Sequence, residues 1–350
     1  MIGARVRVLI IDDSALVRRG LSQALAQVPD MEVVGSASDA YSARELIAQL
    51  SPDVLTLDVE MPRMNGLAFL TRLMRHYPMP VVIFSSRTAA YSDTALQALA
   101  LGAIHVVEKP GPTSVPAAVT AELVRAIRVA AGAQVQRSSN MTPGSLNERQ
   151  PIAGPGWSGR IIAIGASTGG TQAIECLLRE FPADAPGTVI VQHMPELFTA
   201  SFAKRLDSLC RIDVREASDG EAISSGMALV APGGKHLIVQ AIGAGWVARV
   251  KDGPRVHHQR PAVDVLFQSV ARVAGMNASG ALLTGMGNDG ARGLLAMRKA
   301  GAFTIAQDEA TSVVFGMPRE AARLNAATEI LPLNRIASRL LHRQSTAHAA

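Results

Sequence analysis

Residues 6–28 read V-R-V-L-I-I-D-D-S-A-L-V-R-R-G-L-S-Q-A-L-A-Q-V, and two periods succeed each other within them. Val6–Ile11 is a short β-branched run halted by Asp12 and Asp13, the pattern of a strand buried on both faces. Val17, Leu21, Leu25 and Val28 then recur at helical spacing. A strand feeding a helix predicts a parallel sheet, because parallel neighbours need a crossover between them. Working outward, Glu32–Gly35, Asp53–Asp58, Pro80–Ser85 and Ile104–Val107 read as further short strands with helical patterns between them. Asp39 is placed to cap a helix running to Leu50. The expectation for residues 1–125 is a five-stranded parallel (βα)5 domain of the doubly wound α/β class.

The periodicity dissolves after about Val129. Residues 126–159, with Gly132–Ser158 rich in Ser, Gln, Pro and Gly, read as an interdomain linker. From Arg160 strands resume at Ile161–Ile164, Thr188–Gln192, Met227–Val230, Ala278–Thr284 and Ala302–Ala306, with a β-hairpin around His236–Val250. Residues 160–341 are therefore expected to form a second doubly wound α/β domain, and 342–350 a disordered tail. A length of 350 residues suits two domains, and 4% aromatic content makes their cores aliphatic.

Cys176 and Cys210 are too few for a disulfide framework or a four-ligand zinc site. No apolar stretch approaches the roughly 18 residues of a membrane span, and the amino-terminal apolar run is too short for a signal peptide. The chain is expected to be soluble and cytoplasmic, without membrane insertion. Its net charge of +5 is spread thinly, with few aromatics to stack on bases, which argues against a nucleic-acid partner.

Functional side chains of a parallel sheet gather at the carboxyl ends of its strands. In the first domain these ends carry Asp12 and Asp13, then Asp58, then Ser85 and Lys109. Converging carboxylates resist ionisation unless a cation sits among them, and Mg²⁺ suits one or two carboxylates, waters and a phosphate. Asp12, Asp13 and Asp58 are the expected metal ligands, Ser85 and Lys109 the expected phosphate contacts, and Asp58 the nucleophile forming an acyl phosphate. Singly, each acid also reads as an ordinary cap or turn residue. The motifs I-I-D-D-S, L-T-L-D-V-E-M-P-R-M-N-G and V-E-K-P resemble those of response-regulator receiver domains, which implies phosphorylation of Asp58 by a sensor kinase. Val106 stands three residues before the lysine, where many receivers carry an aromatic switch residue.

In the second domain the strand before G-A-S-T-G-G (165–170) puts Ser167 on a strand-to-helix turn, as in the G-x-S-x-G logic. The strand Thr188–Gln192 runs into His193, and Ala278–Thr284 runs into G-M-G-N-D-G (285–290) with Asp289. Together these are the groups of acyl transfer: Ser167 as nucleophile, His193 as base and Asp289 as its orienting partner. The Met286 N–H is the candidate oxyanion donor. Two other readings stand beside this one. Gly285–Gly290 formally fits a nucleotide-binding G-x-G-x-x-G, although no acid ends the second strand, and His193 also reads, less readily, as a structural histidine beside a capping serine. His257 and His258 lie in a polar loop with no other metal ligands near in sequence. Met286, Met297 and Met317 read as core packing, and Asp264 as a local cap.

The strings G-A-S-T-G-G, V-Q-H-M-P, A-P-G-G-K-H and L-L-T-G-M-G-N-D-G resemble the chemotaxis protein-glutamate methylesterases, the CheB family. The resemblance spans the receiver and residues 160 to about 335, and it carries the triad onto Ser167, His193 and Asp289. It implies a phosphorylation-activated methylesterase that releases methanol from glutamate methyl esters of chemoreceptors and deamidates receptor glutamines. It further implies a chemotaxis histidine kinase as phosphodonor and no cofactor for the esterase step. A phosphorylation-controlled adaptor and a receiver fused to a small-ester hydrolase are the alternatives.

Overall fold

Val8–Ile11 is buried throughout, as a strand covered on both faces requires, and the polar residues begin at the sheet edge. The computed structural model describes residues 5–86, 91–109, 116–135, 159–243 and 245–342. The chain divides between Asn147 and Glu148 into two compact units, each with its own sheet.

The first unit runs β1 (Val6–Ile11), α1 (Ala15–Ala26), β2 (Met31–Ala37), α2 (Ala40–Leu50), β3 (Val54–Leu57), α3 (Gly66–His76), β4 (Val81–Ser86), α4 (Tyr91–Ala100), β5 (His105–Lys109) and α5 (Ala117–Ala131). The strands lie parallel in the order β2-β1-β3-β4-β5. Asp39 caps α2 as expected, its Oδ1 accepting from the Tyr41 and Ser42 amides at 2.9 and 3.1 Å. Leu9, Ile11, Leu55, Leu57, Val81 and Ile83 anchor one core with Phe69 and Leu70 of α3. Helix α5 continues to Ala131, past the boundary expected at 125, because Ala126, Ile127 and Ala130 still face the interior. Most of the expected linker and the tail from 343 lie outside the described residues.

The second unit runs β6 (Ile161–Ala166), α6 (Gly170–Leu178), β7 (Gly187–Gln192), α7 (Glu196–Leu209), β8 (Asp213–Glu216), β9 (Ala222–Ile223), β10 (Met227–Val230), β11 (His236–Ile242), β12 (Gly245–Lys251), α8 (Val263–Ala274), β13 (Ala278–Leu282), α9 (Ala291–Lys299), β14 (Phe303–Gln307), α10 (Met317–Arg323), β15 (Glu329–Leu331) and α11 (Leu333–Leu341). Seven strands form a parallel sheet in the order β15-β14-β13-β6-β7-β10-β8. The expected hairpin is β11–β12, and β9 joins it antiparallel to make a small separate sheet. Strands β8 and β15 sit at the edges and were not legible as apolar runs. Their alternating exposure, as in Asp-Val-Arg-Glu, is what an edge strand shows.

Strand β6 comes first in sequence yet lies in the middle of its sheet, with β7 on one side and β13 on the other. The chain winds away from β6 in both directions, which opens a crevice at its carboxyl end. The receiver-type sheet has the corresponding crevice between β1 and β3. These two crevices hold the candidate sites.

Candidate functional site

In the first unit, the register Ile11↔Leu57 brings the next residues of β1 and β3 side by side. Asp12 and Asp58 are therefore neighbours, both buried, while Asp13 is exposed at the rim. One carboxylate oxygen of each of the three lies within 4.8 Å of the others. Lys109 ends β5 and extends its Nζ to Asp12 Oδ2 at 2.7 Å and to Asp58 Oδ2 at 2.6 Å. Ser85 is buried near the end of β4, opposite Glu108 of β5. Burial raises the Asp12 carboxyl above its ordinary range; the Lys109 ammonium opposes this and Asp58 adds to it. One lysine does not neutralise three carboxylates, so the donor set fits a divalent cation with room for waters on the exposed Asp13 side. Val106, at the usual aromatic position, packs partly buried against the core.

In the second unit, the pairs Ala166↔Gln192 and Gly165↔Leu282 align the ends of β7, β6 and β13. Ser167 follows β6 directly, and its amide donates to Thr284 O at 3.0 Å. Thr284 is held in turn by Gln307 Oε1 on its amide and by Val314 N on its hydroxyl. The Ser-Thr-Gly-Gly turn closes on Gly169, whose φ of +77° favours glycine, and a Cβ there would meet Val313 at 2.6 Å. Gly285 faces the same turn, and a Cβ on it would meet Met317 Sδ at 2.4 Å and Ser167 Cβ at 2.7 Å. Glycine is thus what lets the two turns pack against each other.

His193 follows β7, and its amide donates to Ala166 O at 3.0 Å. Its Nε2 lies 2.7 Å from Asp289 Oδ2, with both side chains almost wholly buried. Asp289 also accepts the Val263 amide on Oδ2 at 2.7 Å and the Asp264 amide on Oδ1 at 2.9 Å, capping α8. Burial pushes the Asp289 carboxyl upward, but the His193 hydrogen bond and these two amides outweigh it and hold the group below its usual range. An ionised Asp289 orders the imidazole with its proton on Nε2. The lone pair then resides on Nδ1, which is buried and has no hydrogen-bond partner. The ring nitrogen left without a partner is therefore Nδ1, whereas in chymotrypsin-type triads the carboxylate holds Nδ1 and Nε2 is the free one.

The Met286 N–H likewise has no partner among the described residues. Its side chain corrects the expectation of core packing: Met297 and Met317 are fully buried, whereas Met286 is 56% exposed because its turn projects beyond the strand end. A second correction concerns His257. The loop does bring ligand-type groups to it, with Nε2 2.9 Å from Asp264 Oδ2 and both within 4.8 Å of an Asp289 oxygen. Asp264 Oδ1 accepts the Gly293 amide, so it caps α9 rather than its own helix. Sequence offered no signal for this pair, since the contact depends on left-handed backbone at both His257 and His258. Both cysteines are free, and burial pushes the Cys210 thiol up to about 12, which leaves it unreactive as a nucleophile.

A phosphoacceptor-type sheet and a hydrolase-type sheet on one chain define a receiver-controlled hydrolase. Residues 8–120 match the response regulator receiver domain, and residues 162–340 match the CheB methylesterase model. Over 97% of this chain and 99% of the relative, it is 49% identical to "Protein-glutamate methylesterase/protein-glutamine glutaminase 2" of Syntrophus aciditrophicus. A relative of that same name from Pseudomonas syringae is 50% identical over 98% of this chain and all of its own length. The crystal structure of the Thermotoga maritima CheB methylesterase catalytic domain superposes with a TM-score of 0.51 at 37% identity, covering 53% of this chain and 98% of that one. The chain belongs to the CheB methylesterase family, and it is a hydrolase carrying a response-regulator receiver. Among the described residues no helix is long and apolar enough to cross a membrane.

Proposed function

We propose that the chain hydrolyses glutamate methyl esters on chemoreceptors in the cytoplasm, releasing methanol, and deamidates receptor glutamines, for chemotactic adaptation. The observation that carries this is the juxtaposition of Ser167, His193 and Asp289 at three adjacent strand ends, with His193 Nδ1 unpartnered and Asp289 holding Nε2. Ser167 Oγ attacks the ester carbonyl carbon while His193 Nδ1 takes its proton. The Met286 N–H stabilises the oxyanion, worth roughly 3–4 kcal/mol by analogy with other such donors. His193 returns the proton to the departing methanol and then activates the water that cleaves the acyl-serine. With a glutamine, ammonia leaves in the same step.

Control comes from the receiver. A histidine kinase supplies the phosphoryl group to Asp58, and Ser85 and Lys109 contact its oxygens; Asp12, Asp13 and Asp58 are the residues that would hold Mg²⁺. Bound there, Mg²⁺ neutralises phosphoryl charge. Charge added at Asp58 biases a two-state receiver, and a few kcal/mol of bias moves an equilibrium through most of its range.

The deciding experiment is methanol release from methyl-labelled receptor membranes, with and without Mg²⁺ and a small phosphodonor. Release should climb with phosphodonor, vanish in Ser167→Ala, and persist without response in Asp58→Asn. Turnover by Ser167→Ala near the wild-type level would overturn the triad, and a phosphodonor response in Asp58→Asn would overturn the control.

A further inference from the structure

Gln192 ends β7 and immediately precedes His193, and it stands opposite Ala166, which immediately precedes Ser167. Its side chain is buried, and its amide Nε2 donates to Ser167 O at 2.8 Å and to His193 O at 3.2 Å. Two carbonyls on one side fix which end of the amide carries the NH₂ group, and both its hydrogens are used. The other end, Oε1, is buried without a partner and lies 2.2 Å from where a Cβ on Gly170 would stand. A stranded amide oxygen carries an uncompensated desolvation cost. An apolar side chain of equal length would fill the same space without it. What only the amide provides here is a double donor that ties the main chain of one residue to that of the other.

We propose that Gln192 is a positioning residue for the esterase reaction, setting the separation of Ser167 and His193 by tethering both backbones. The proposal rests on the triad reading above. Nucleophile and base stand on different strand ends, and proton transfer between them falls steeply with displacements of an ångström. The interstrand hydrogen bond from His193 N to Ala166 O fixes β6 against β7, but it stops one residue short of Ser167. The Gln192 amide extends the link by that one residue. Gly170 belongs to the same device, since any side chain there would push the amide away from the two carbonyls.

The test uses the full chain activated with phosphodonor, and two variants. Gln192→Met keeps length and removes both donors; kcat should fall about 10- to 100-fold with KM within about twofold. Gln192→Glu sets an ionised carboxylate against two carbonyls, and protonation restores one donor. Its rate relative to wild type should therefore rise as pH falls from about 8 to about 5. A kcat for folded Gln192→Met within about twofold of wild type, or a flat Gln192→Glu ratio, overturns the proposal. If Gln192→Met does not fold, the Gln192→Glu ratio decides alone. Ser167→Ala, run alongside, separates the two readings. Its inactivity beside a wild-type-like Gln192→Met sinks only the tether, whereas its activity sinks the triad.

Discussion

At the scale of single residues, two aspartates at comparable strand ends are driven in opposite directions by what donates to them. Asp289 has a histidine and two helix amides on its oxygens, which override burial and keep it ionised. Replacement by Asn presents an NH₂ to one of those donors, so Asp289→Asn should lower kcat by about 10³–10⁴-fold and stability by about 1–2 kcal/mol, read by methanol release and thermal melting. The sign follows from the depressed carboxyl: its contribution is present above the ordinary carboxylate pKa and disappears as pH falls through the lowered value. The stability gap between wild type and variant should therefore close in acid. Asp12 is the reverse case, raised by burial against only part of a lysine's charge. Its ionisation penalises the folded state, and the penalty grows as pH rises from the unfolded to the raised folded value. Asp12→Asn should melt a few degrees higher at neutral pH, with no gain well below the usual carboxylate range, and should lose Mg²⁺-dependent phosphorylation.

At the scale of elements, the site is a set of turns packed backbone against backbone. Helices α8 and α9 are each capped by an aspartate from outside their own first turn, Asp289 for α8 and Asp264 for α9. The carboxylate proposed for the triad is thus also a structural cap, which fixes it relative to both helices. The turn bearing Met286 is pinned where Gly285 O accepts the Met317 and Gly316 amides at 2.8 and 3.1 Å. Gly285→Ala would drive a methyl group into Met317 and Ser167. We expect a loss of about 1–3 kcal/mol and a fall in kcat larger than any change in KM, seen by melting and steady-state kinetics. A variant with unchanged kcat would show that the turn relaxes away from the serine.

At the scale of the whole molecule, each unit buries aliphatic residues of its own. One centres on Leu9, Leu55, Ile83 and Leu70, the other on Val189, Val263, Phe267 and Leu294. Separate cores predict separate cooperative transitions in calorimetry. Asp12→Asn should raise only the receiver transition and Asp289→Asn should lower only the catalytic one. A single transition moved by both variants would show that the units unfold together.

The central strands, the polar residue ending each of them and the family are all legible in the residues alone, because a strand buried on both faces leaves an apolar run that stops where the sheet edge meets water. Val6–Ile11 before Asp12 and Ile161–Ala166 before Ser167 are of this kind. Edge strands β8 and β15 left no such mark, since one side of each faces solvent. That β6 lies between β13 and β7, and β1 between β2 and β3, emerges only in the folded sheet, for pairing joins segments far apart in the chain through helical crossovers. With that order came the free nitrogen of His193, the outward Met286, the His257–Asp264 contact and the amide of Gln192 bridging two backbones. Each is a matter of which atoms end up within about 3 Å of one another, and no residue's identity specifies its neighbour across a sheet.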